Sequence, residues 1–231
     1  METLVTKKVS IVLRFMMNET ESKERIRTQA RELFMKYGIR SVSMDDIAGS
    51  LGMSKKTLYH FYADKEELVE AVIVHQINHN QDCCQADIGK AENAVHELFL
   101  SMDMVAQMFS TMNPSVLYDL EKYHPHAFQF FLRHKNDFVY STVRNNLIRG
   151  IKEGVYRDDL NVDIISRFRV EIVMLPFNPD FQAKVKHNLA EIEEEIILHY
   201  LFGLVNMKGH KAILKYKQER TNKPPNHAHH Q

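Results

Sequence analysis

The chain has 231 residues, which is enough for one large domain or two unequal ones. Lys and Arg together number 30, as do Asp and Glu, so any attraction to nucleic acid or to a membrane surface has to come from a local cluster of charge. The adjacent pair Cys83 and Cys84 excludes a disulfide framework and favours a reducing, cytoplasmic location.

The N-terminal segment contains a short apolar run that follows Lys7 and Lys8. A signal peptide is excluded because Arg14 interrupts the run and no small-residue cleavage site follows it. No other stretch approaches the roughly 18 apolar residues of a membrane span, so no membrane partner is expected. We predict a disordered extension over residues 1–20, and leave open whether residues 1–15 come from an upstream start codon.

Helix signals then follow one another closely, and with only eight glycines and six prolines they predict an all-α fold. Apolar residues recur at helical spacing from Ser22 to Tyr37, and Gly38 follows as a C-terminal cap. Ser43 can cap a short second helix that ends at Gly52, and Ser54 can cap a third. Two short helices joined by a tight turn predict a helix-turn-helix domain over residues 21–65.

A fourth helix is predicted from about residue 64 to 81, because Asp64 and Glu67 have the spacing of a capping box. Beyond it, five further helical segments separated by Pro, Gly and Asn indicate a second, larger helical domain over residues 82–217. The polar, proline-containing segment 218–231 is expected to be a disordered tail.

The third helix has the side chains that a helix needs in the DNA major groove. Flexible or short donors near its N-terminus can reach base edges, and flanking polar groups can reach phosphates. Residues 21–65 also have nine basic and six acidic side chains, a local positive excess. The alternative is that the lysines are merely solvated and the aromatic side chains are core. The candidate DNA-binding residues are Ser43, Ser54, Lys55, Lys56, Thr57, Tyr59, His60 and Lys65.

The segment "SMDDIAGSLGMSKKTLYHFYADKEELVEAV" resembles the DNA-binding region of the TetR (tetracycline repressor) family of bacterial transcription regulators. The residues that carry the resemblance are Ser43, Ile47-Ala48, Leu51-Gly52, Ser54, Leu58-Tyr59, Phe61 and Lys65. Met53 departs from the family pattern, which more often has Val or another small apolar residue there.

The resemblance implies phosphate contacts for Ser43, Tyr59, His60 and Lys65, and implies that Lys55, Lys56 and Thr57 read bases. It also implies a homodimeric regulator, more often a repressor than an activator, that binds an inverted-repeat DNA operator. A small-molecule effector would bind the larger domain and release the DNA.

The larger domain offers less specific signals. Methionines and aromatic residues crowd two segments, where they could line a cavity for an apolar or amphipathic effector or could simply fill the core. The candidate pocket residues are Met102, Met104, Met108, Phe109, Met112, Phe128, Phe131 and Phe138. Two apolar segments near residues 164–173 and 192–204 could form a dimer interface, or one of them could be core. We expect Glu193 to Glu195 to form a solvated face.

Other chemistry is weaker in the sequence. His75 and His79 have an i, i+4 spacing that could supply two metal ligands, but surface histidines are the simpler interpretation. Cys83 and Cys84 could sense redox state or metal, or could be small buried residues. No cofactor or metal is predicted, and no nucleophile-and-base arrangement indicates an enzyme. The alternative function is a small-molecule or metal-sensing helical protein that does not bind DNA directly.

Overall fold

The computed structural model of the chain describes the backbone of residues 4–222 and the side chains of residues 19–222. Within these residues the secondary structure is almost entirely helical, which confirms the predicted all-α fold, and no strand occurs apart from an isolated antiparallel bridge between Tyr156 and Val205. No helix in the described range is long and apolar enough to cross a membrane.

The first seven helices are α1 (Leu4–Tyr37), α2 (Met44–Ser50), α3 (Lys55–Phe61), α4 (Lys65–Lys90), α5 (Ala94–Phe109), α6 (Ser115–Tyr123) and α7 (Pro125–Arg133). A π-helical segment, His134–Val139, continues α7 directly into α8 (Tyr140–Lys152). The remaining helices are α9 (Val162–Ile172), α10 (Pro179–Val185), α11 (Leu189–Leu204) and α12 (Met207–Asn222), with a 3₁₀ turn at Leu175–Phe177.

The chain forms two compact units, and each is built from separate segments. The first unit comprises Met1–Gln76 and Asn113–Phe131, and the second comprises Ile77–Met112 and Leu132–Gln231. The sequence predicted one boundary near residue 82, so it did not anticipate that α6 and most of α7 belong with the N-terminal helices. The physical reason is that side chains of α6 bond to groups more than 50 residues earlier in the chain, which no local pattern reveals.

The helices also extend beyond their predicted ends. The backbone is helical from Leu4, so the disordered extension expected over residues 1–20 is wrong for residues 4–20, and residues 1–3 lie outside the described part. No Gly or Pro lies between Leu4 and Tyr37, and extending an existing helix costs far less than starting one. Extension of an existing helix likewise carries α4 past residue 81 to Lys90, and α12 continues to Asn222, two residues before Pro224. Residues 223–231 of the expected tail lie outside the described part.

The core of the first unit forms where α1, α2 and α3 meet. Ile26, Phe34, Ile47 and Leu58 are all buried there. Gly38 ends α1 in the left-handed region, at φ +83°, and a Cβ at this position would come within 2.6 Å of the Ser115 hydroxyl. Glycine is therefore required for both its backbone conformation and its size.

In the second unit α5 packs against α8, α11 and α12 around one hydrophobic core. Tyr156 lies within this core, and its hydroxyl donates to the Ala94 carbonyl oxygen at 3.1 Å and contacts the Asn146 side-chain oxygen at 2.9 Å. A Cβ on Gly150 would come within 2.1 Å of the Tyr156 ring, so this helical glycine makes room for the tyrosine.

Candidate nucleic-acid interface

Helix α3 has one buried side and one exposed side, and the division follows its sequence. Ser54 caps the helix by accepting a hydrogen bond from the Thr57 amide at 3.1 Å. Leu58 is fully buried, which fixes the helix against α1 and α2. The candidate DNA-binding residues of α3 that are exposed are Lys55, Lys56, Thr57, Tyr59 and His60.

Among the exposed side chains of α3, Lys55 contacts both Tyr59 and a carboxylate of α2. Tyr59 is 41% exposed, and the Lys55 ammonium lies 5.9 Å from the centre of its ring. Lys55 also pairs with Asp45 of α2, at 2.9 Å between Nζ and Oδ1, and this hydrogen-bonded pair raises the lysine pKa. A DNA contact by Lys55 would therefore exchange the Asp45 carboxylate for a phosphate or a base acceptor.

Ser43 forms the capping box of α2 together with Asp46. The Asp46 amide donates to the Ser43 hydroxyl oxygen at 3.2 Å, and the Ser43 amide donates to the Asp46 carboxylate at 2.8 Å. Hydrogen bonds from the Ser43 side chain and backbone hold the Asp46 pKa below its usual value. The Asp46 carboxylate therefore already caps the N-terminus of α2, and Ser43 lies exposed beside it.

Lys65 has a structural partner that the sequence did not indicate. Its ammonium donates to the Ile39 carbonyl oxygen at 2.6 Å and lies 3.5 Å from the Arg40 carbonyl oxygen. Burial lowers the Lys65 pKa, while Asp119 and Asp46 oppose that shift. In this structure the side chain holds the turn between α1 and α2 and is already occupied.

Two contacts that the sequence did not indicate connect the α6 region to earlier parts of the first unit. Buried Asp119 accepts from the Arg40 amide at 2.9 Å. Buried His124 pairs with Glu66 of α4, with 2.5 Å between Nδ1 and the carboxylate oxygen. These partners are 79 and 58 residues apart in the chain, so only the folded structure brings them together.

The residues expected to line an effector pocket do not form a single group. Phe128 and Phe131 belong to the first unit, where their rings stack 5.9 Å apart. The other six residues belong to the second unit. Met102 is buried in its core, and Phe109 makes an edge-to-face contact with Phe177. Of the eight, Phe138 is the one that lines a cleft of about 480 Å³ in the second unit.

The residues considered for metal and redox chemistry lie on α4. Cys83 Sγ lies 3.7 Å from His79 Nε2, and burial raises the Cys84 pKa to about 11, which keeps that thiol protonated and unreactive. Over the described residues, no group of three or more His, Cys, Asp and Glu side chains is arranged to hold a metal ion.

A bundle of α1 to α3 with one exposed polar face on its third helix defines a helix-turn-helix DNA-binding protein. Residues 26–72 match the family model described as bacterial regulatory proteins, tetR family. The N-terminal helix-turn-helix of the chain is thus a DNA-binding domain of the TetR type, as predicted, and the relatives that the chain is similar to are named as transcriptional regulators.

Relatives of known sequence match the chain beyond this segment. The chain is 26% identical over 179 residues to YvaF of Bacillus subtilis (strain 168), described as an uncharacterized HTH-type transcriptional regulator, and the match covers 75% of this chain and 90% of that one. It is 26% identical over 152 residues to the HTH-type transcriptional repressor KstR2 of Mycobacterium tuberculosis, covering 60% of this chain and 71% of the repressor.

A solved structure gives the same fold. A TetR-family transcriptional regulator from Cytophaga hutchinsonii superposes with a TM-score of 0.66 at 13% sequence identity, covering 81% of this chain and 96% of that one. At this identity the likeness concerns the fold alone.

Proposed function

We propose that two copies of the chain bind an inverted-repeat operator through the exposed face of α3 and repress transcription until a small-molecule effector releases them. The exposed row of Lys55, Lys56, Thr57, Tyr59 and His60 beside buried Leu58 is the observation that carries this proposal. The resemblance to KstR2, which is described as a repressor, supports repression rather than activation. A DNA operator as the target implies action in the cytoplasm.

The dimer is supported by apolar side chains that the second unit leaves exposed. On α9, Ile164 is 64% exposed and Phe168 is 51% exposed, and their i, i+4 spacing puts them on one face. Phe202 of α11 is 40% exposed. Most of α11 is core, because Ile197, Leu201 and neighbouring residues are buried, so the exposed face of α9 is the better candidate for the centre of the interface.

The release step is supported by the path of α4 and by the bonds of α6. Helix α4 begins at Lys65 beside the helix-turn-helix and continues without a break to Lys90 in the second unit. Within the first unit, the Glu66–His124 and Arg40–Asp119 contacts tie α6 to the start of α4 and to the turn after α1. An effector that favours another position of α4 or α6 would shift the equilibrium away from the DNA-binding state.

The experiment selects bound sequences from a random duplex library with the full-length protein and then measures binding of the recovered operator at several salt concentrations. We expect a two-fold symmetric sequence and an affinity that falls steeply with salt, because lysines displace counterions from phosphates.

Tyr59→Ala should weaken operator binding by about 1–3 kcal/mol, because it removes a contact between α3 and a DNA phosphate. Tyr118→Ala is the matched control, since Tyr118 is 44% exposed on α6. Selection of no sequence, or equal losses in the two variants, would contradict the proposed interface.

A further inference from the structure

The second unit contains a cleft of about 480 Å³ whose volume lies in the range of small-molecule sites. It lies between α4, α5, the π-helical segment and α8, and among its lining residues are Gln85, Phe138, Ser141, Thr142, Asn145 and Arg149. None of these residues except Phe138 was expected from the sequence to contact an effector.

The cation in the cleft is not available to an anionic ligand. The Arg149 guanidinium donates to Glu153 at 2.7 Å, to Glu97 at 2.9 Å and to the Ala91 carbonyl oxygen at 2.8 Å, so all three of its nitrogen atoms have partners. Glu97 is itself buried and paired with this guanidinium. Both carboxylates are engaged with this one guanidinium, so the cleft has no free cation for an anionic ligand and no unpaired carboxylate for a cationic one.

The wall of the cleft has free hydrogen-bonding groups instead. Within the described part of the chain, the side chains of Gln85, Thr142 and Asn145 have no hydrogen-bond partner, and the hydroxyl hydrogen of Ser141 goes to the Phe138 carbonyl oxygen. The two amides and the threonine hydroxyl can each both donate and accept. This combination suits hydroxyl groups, which also donate and accept, better than it suits an apolar chain.

Two apolar side chains, Ile88 and Phe138, accompany these polar groups. Phe138 lines the cleft, and its ring stacks on His134 with 5.4 Å between ring centres and an angle of 15°. Both residues belong to the π-helical segment, whose extra residue per turn changes the direction of the following side chains. Lys135 of the same segment is buried and pairs with Glu171 at 3.1 Å, which anchors the segment to α9.

We propose that this cleft is the effector site and that it takes a neutral, hydroxyl-rich molecule of monosaccharide to nucleoside size, with one apolar face against Phe138 and hydroxyl groups on Gln85, Thr142 and Asn145. This inference rests on the proposed function, because it assumes an effector that releases the operator. It departs from the apolar or amphipathic effector that the Met and Phe residues of the sequence suggested.

The test uses the full-length protein and six probes of defined chemistry. Glucose, N-acetylglucosamine and uridine are the neutral, hydroxyl-rich probes, whereas glucuronate, choline and laurate represent anionic, cationic and apolar ligands. Saturation-transfer NMR measures binding, and fluorescence anisotropy with the selected operator measures DNA release. We expect at least one neutral probe to bind and to weaken operator binding, while the three other probes do neither.

The variant Gln85→Leu/Asn145→Leu should lower the affinity for that probe at least tenfold while leaving operator binding without the probe unchanged. Gln218→Leu, on the exposed part of α12, is the matched control. If none of the three neutral probes binds, or if the double variant binds a probe as well as the wild type does, the cleft proposal is overturned. Neither result would affect the proposal that the protein binds an operator. Failure of the unliganded wild type to bind any selected duplex would instead count against the proposed function.

Discussion

At the scale of single residues, Lys65 combines a motif position with an internal contact. Its position in the family motif implies a phosphate contact, whereas its ammonium in this structure donates to the Ile39 carbonyl oxygen. The two roles predict different results when the lysine is removed, because a phosphate contact affects DNA binding alone and a turn contact also affects folding.

Lys65→Met should lower the free energy of unfolding by about 1–3 kcal/mol, because the Ile39 carbonyl loses its partner in a part-buried position. Exposed Lys56→Met should leave stability unchanged and weaken only DNA binding. Urea denaturation of both variants, together with operator binding, gives the comparison. Unchanged stability in Lys65→Met would show that the carbonyl contact contributes nothing and would restore the phosphate interpretation.

At the scale of helices, α9 and α11 are joined by a buried ion pair. Arg169 and Glu193 are 8% and 4% exposed, with 2.5 Å between Nη2 and Oε1. The second carboxylate oxygen of Glu193 and the Nη1 of Arg169 have no hydrogen-bond partner among the described residues. Burial raises the Glu193 pKa, and Arg169 opposes this shift. The expectation that residues 193–195 form a solvated face is therefore wrong at Glu193.

Arg169→Met should destabilise the protein by about 3–5 kcal/mol at neutral pH, because it leaves a buried carboxylate without its counter-charge. The loss should be smaller near pH 5. With a folded-state pKa above the ordinary 4.5, Glu193 takes up a proton in the folded protein and its penalty grows as the pH rises. Thermal unfolding at both pH values measures this difference. In Arg169→Met/Glu193→Leu most of the stability should return, and a double variant as unstable as the single one would contradict the charge argument.

His134 in the π-helical segment gives a second dependence on pH. Burial lowers its pKa below the ordinary 6.5, and its Nδ1 lies 3.0 Å from the Gln81 side-chain nitrogen, which can donate to it only when Nδ1 is unprotonated. As the pH decreases below 6.5, His134 is therefore protonated in the unfolded chain before it is protonated in the folded protein. The free energy of unfolding should fall over this range.

His134→Gln should remove that part of the stability loss between pH 7.5 and pH 5.5, as measured by denaturant unfolding at each pH. His126→Gln is the control, since His126 is exposed on α7. Identical pH dependence in the wild type and His134→Gln would mean that the histidine is as easily protonated in the folded protein as in the unfolded chain.

At the scale of the whole molecule, zero net charge is compatible with DNA binding because residues 21–65 have a local positive excess that acidic residues elsewhere in the chain offset. The proposed dimer should depend on the exposed face of α9. Phe168→Glu should shift the protein toward monomer in sedimentation velocity and weaken operator binding at least tenfold, because each monomer contacts one half-site. Ile148→Glu, at a residue 42% exposed on α8, is the matched control. If the Phe168→Glu variant remains a dimer, the dimer interface does not lie on the exposed face of α9.

The parts of this fold that sequence predicted are those fixed by local chemistry. Ser43, Gly38, Gly52 and Ser54 act within a few residues of their own positions, so the end of α1 and the limits of α2 and α3 could be predicted from capping and left-handed glycines. The Lys65 contact with Ile39 spans 26 residues and depends on the path of a whole turn. The cleft residues on α4 and α8 likewise come together only through packing, and their individual residue types are common on helix surfaces.

The separate segments of the first unit have a consequence for protein synthesis. Asp119 and His124 belong to this unit, but the ribosome makes them only after the intervening segment Ile77–Met112. At about 5–20 residues per second, several seconds separate the completion of α3 from the completion of its α6 partners. Until then Arg40 and Glu66 lack those partners. We therefore expect the nascent helix-turn-helix to remain only partly stabilised until residue 131 has left the ribosome, and an isolated fragment ending at Gln76 to be less stable than the same helices in the full chain.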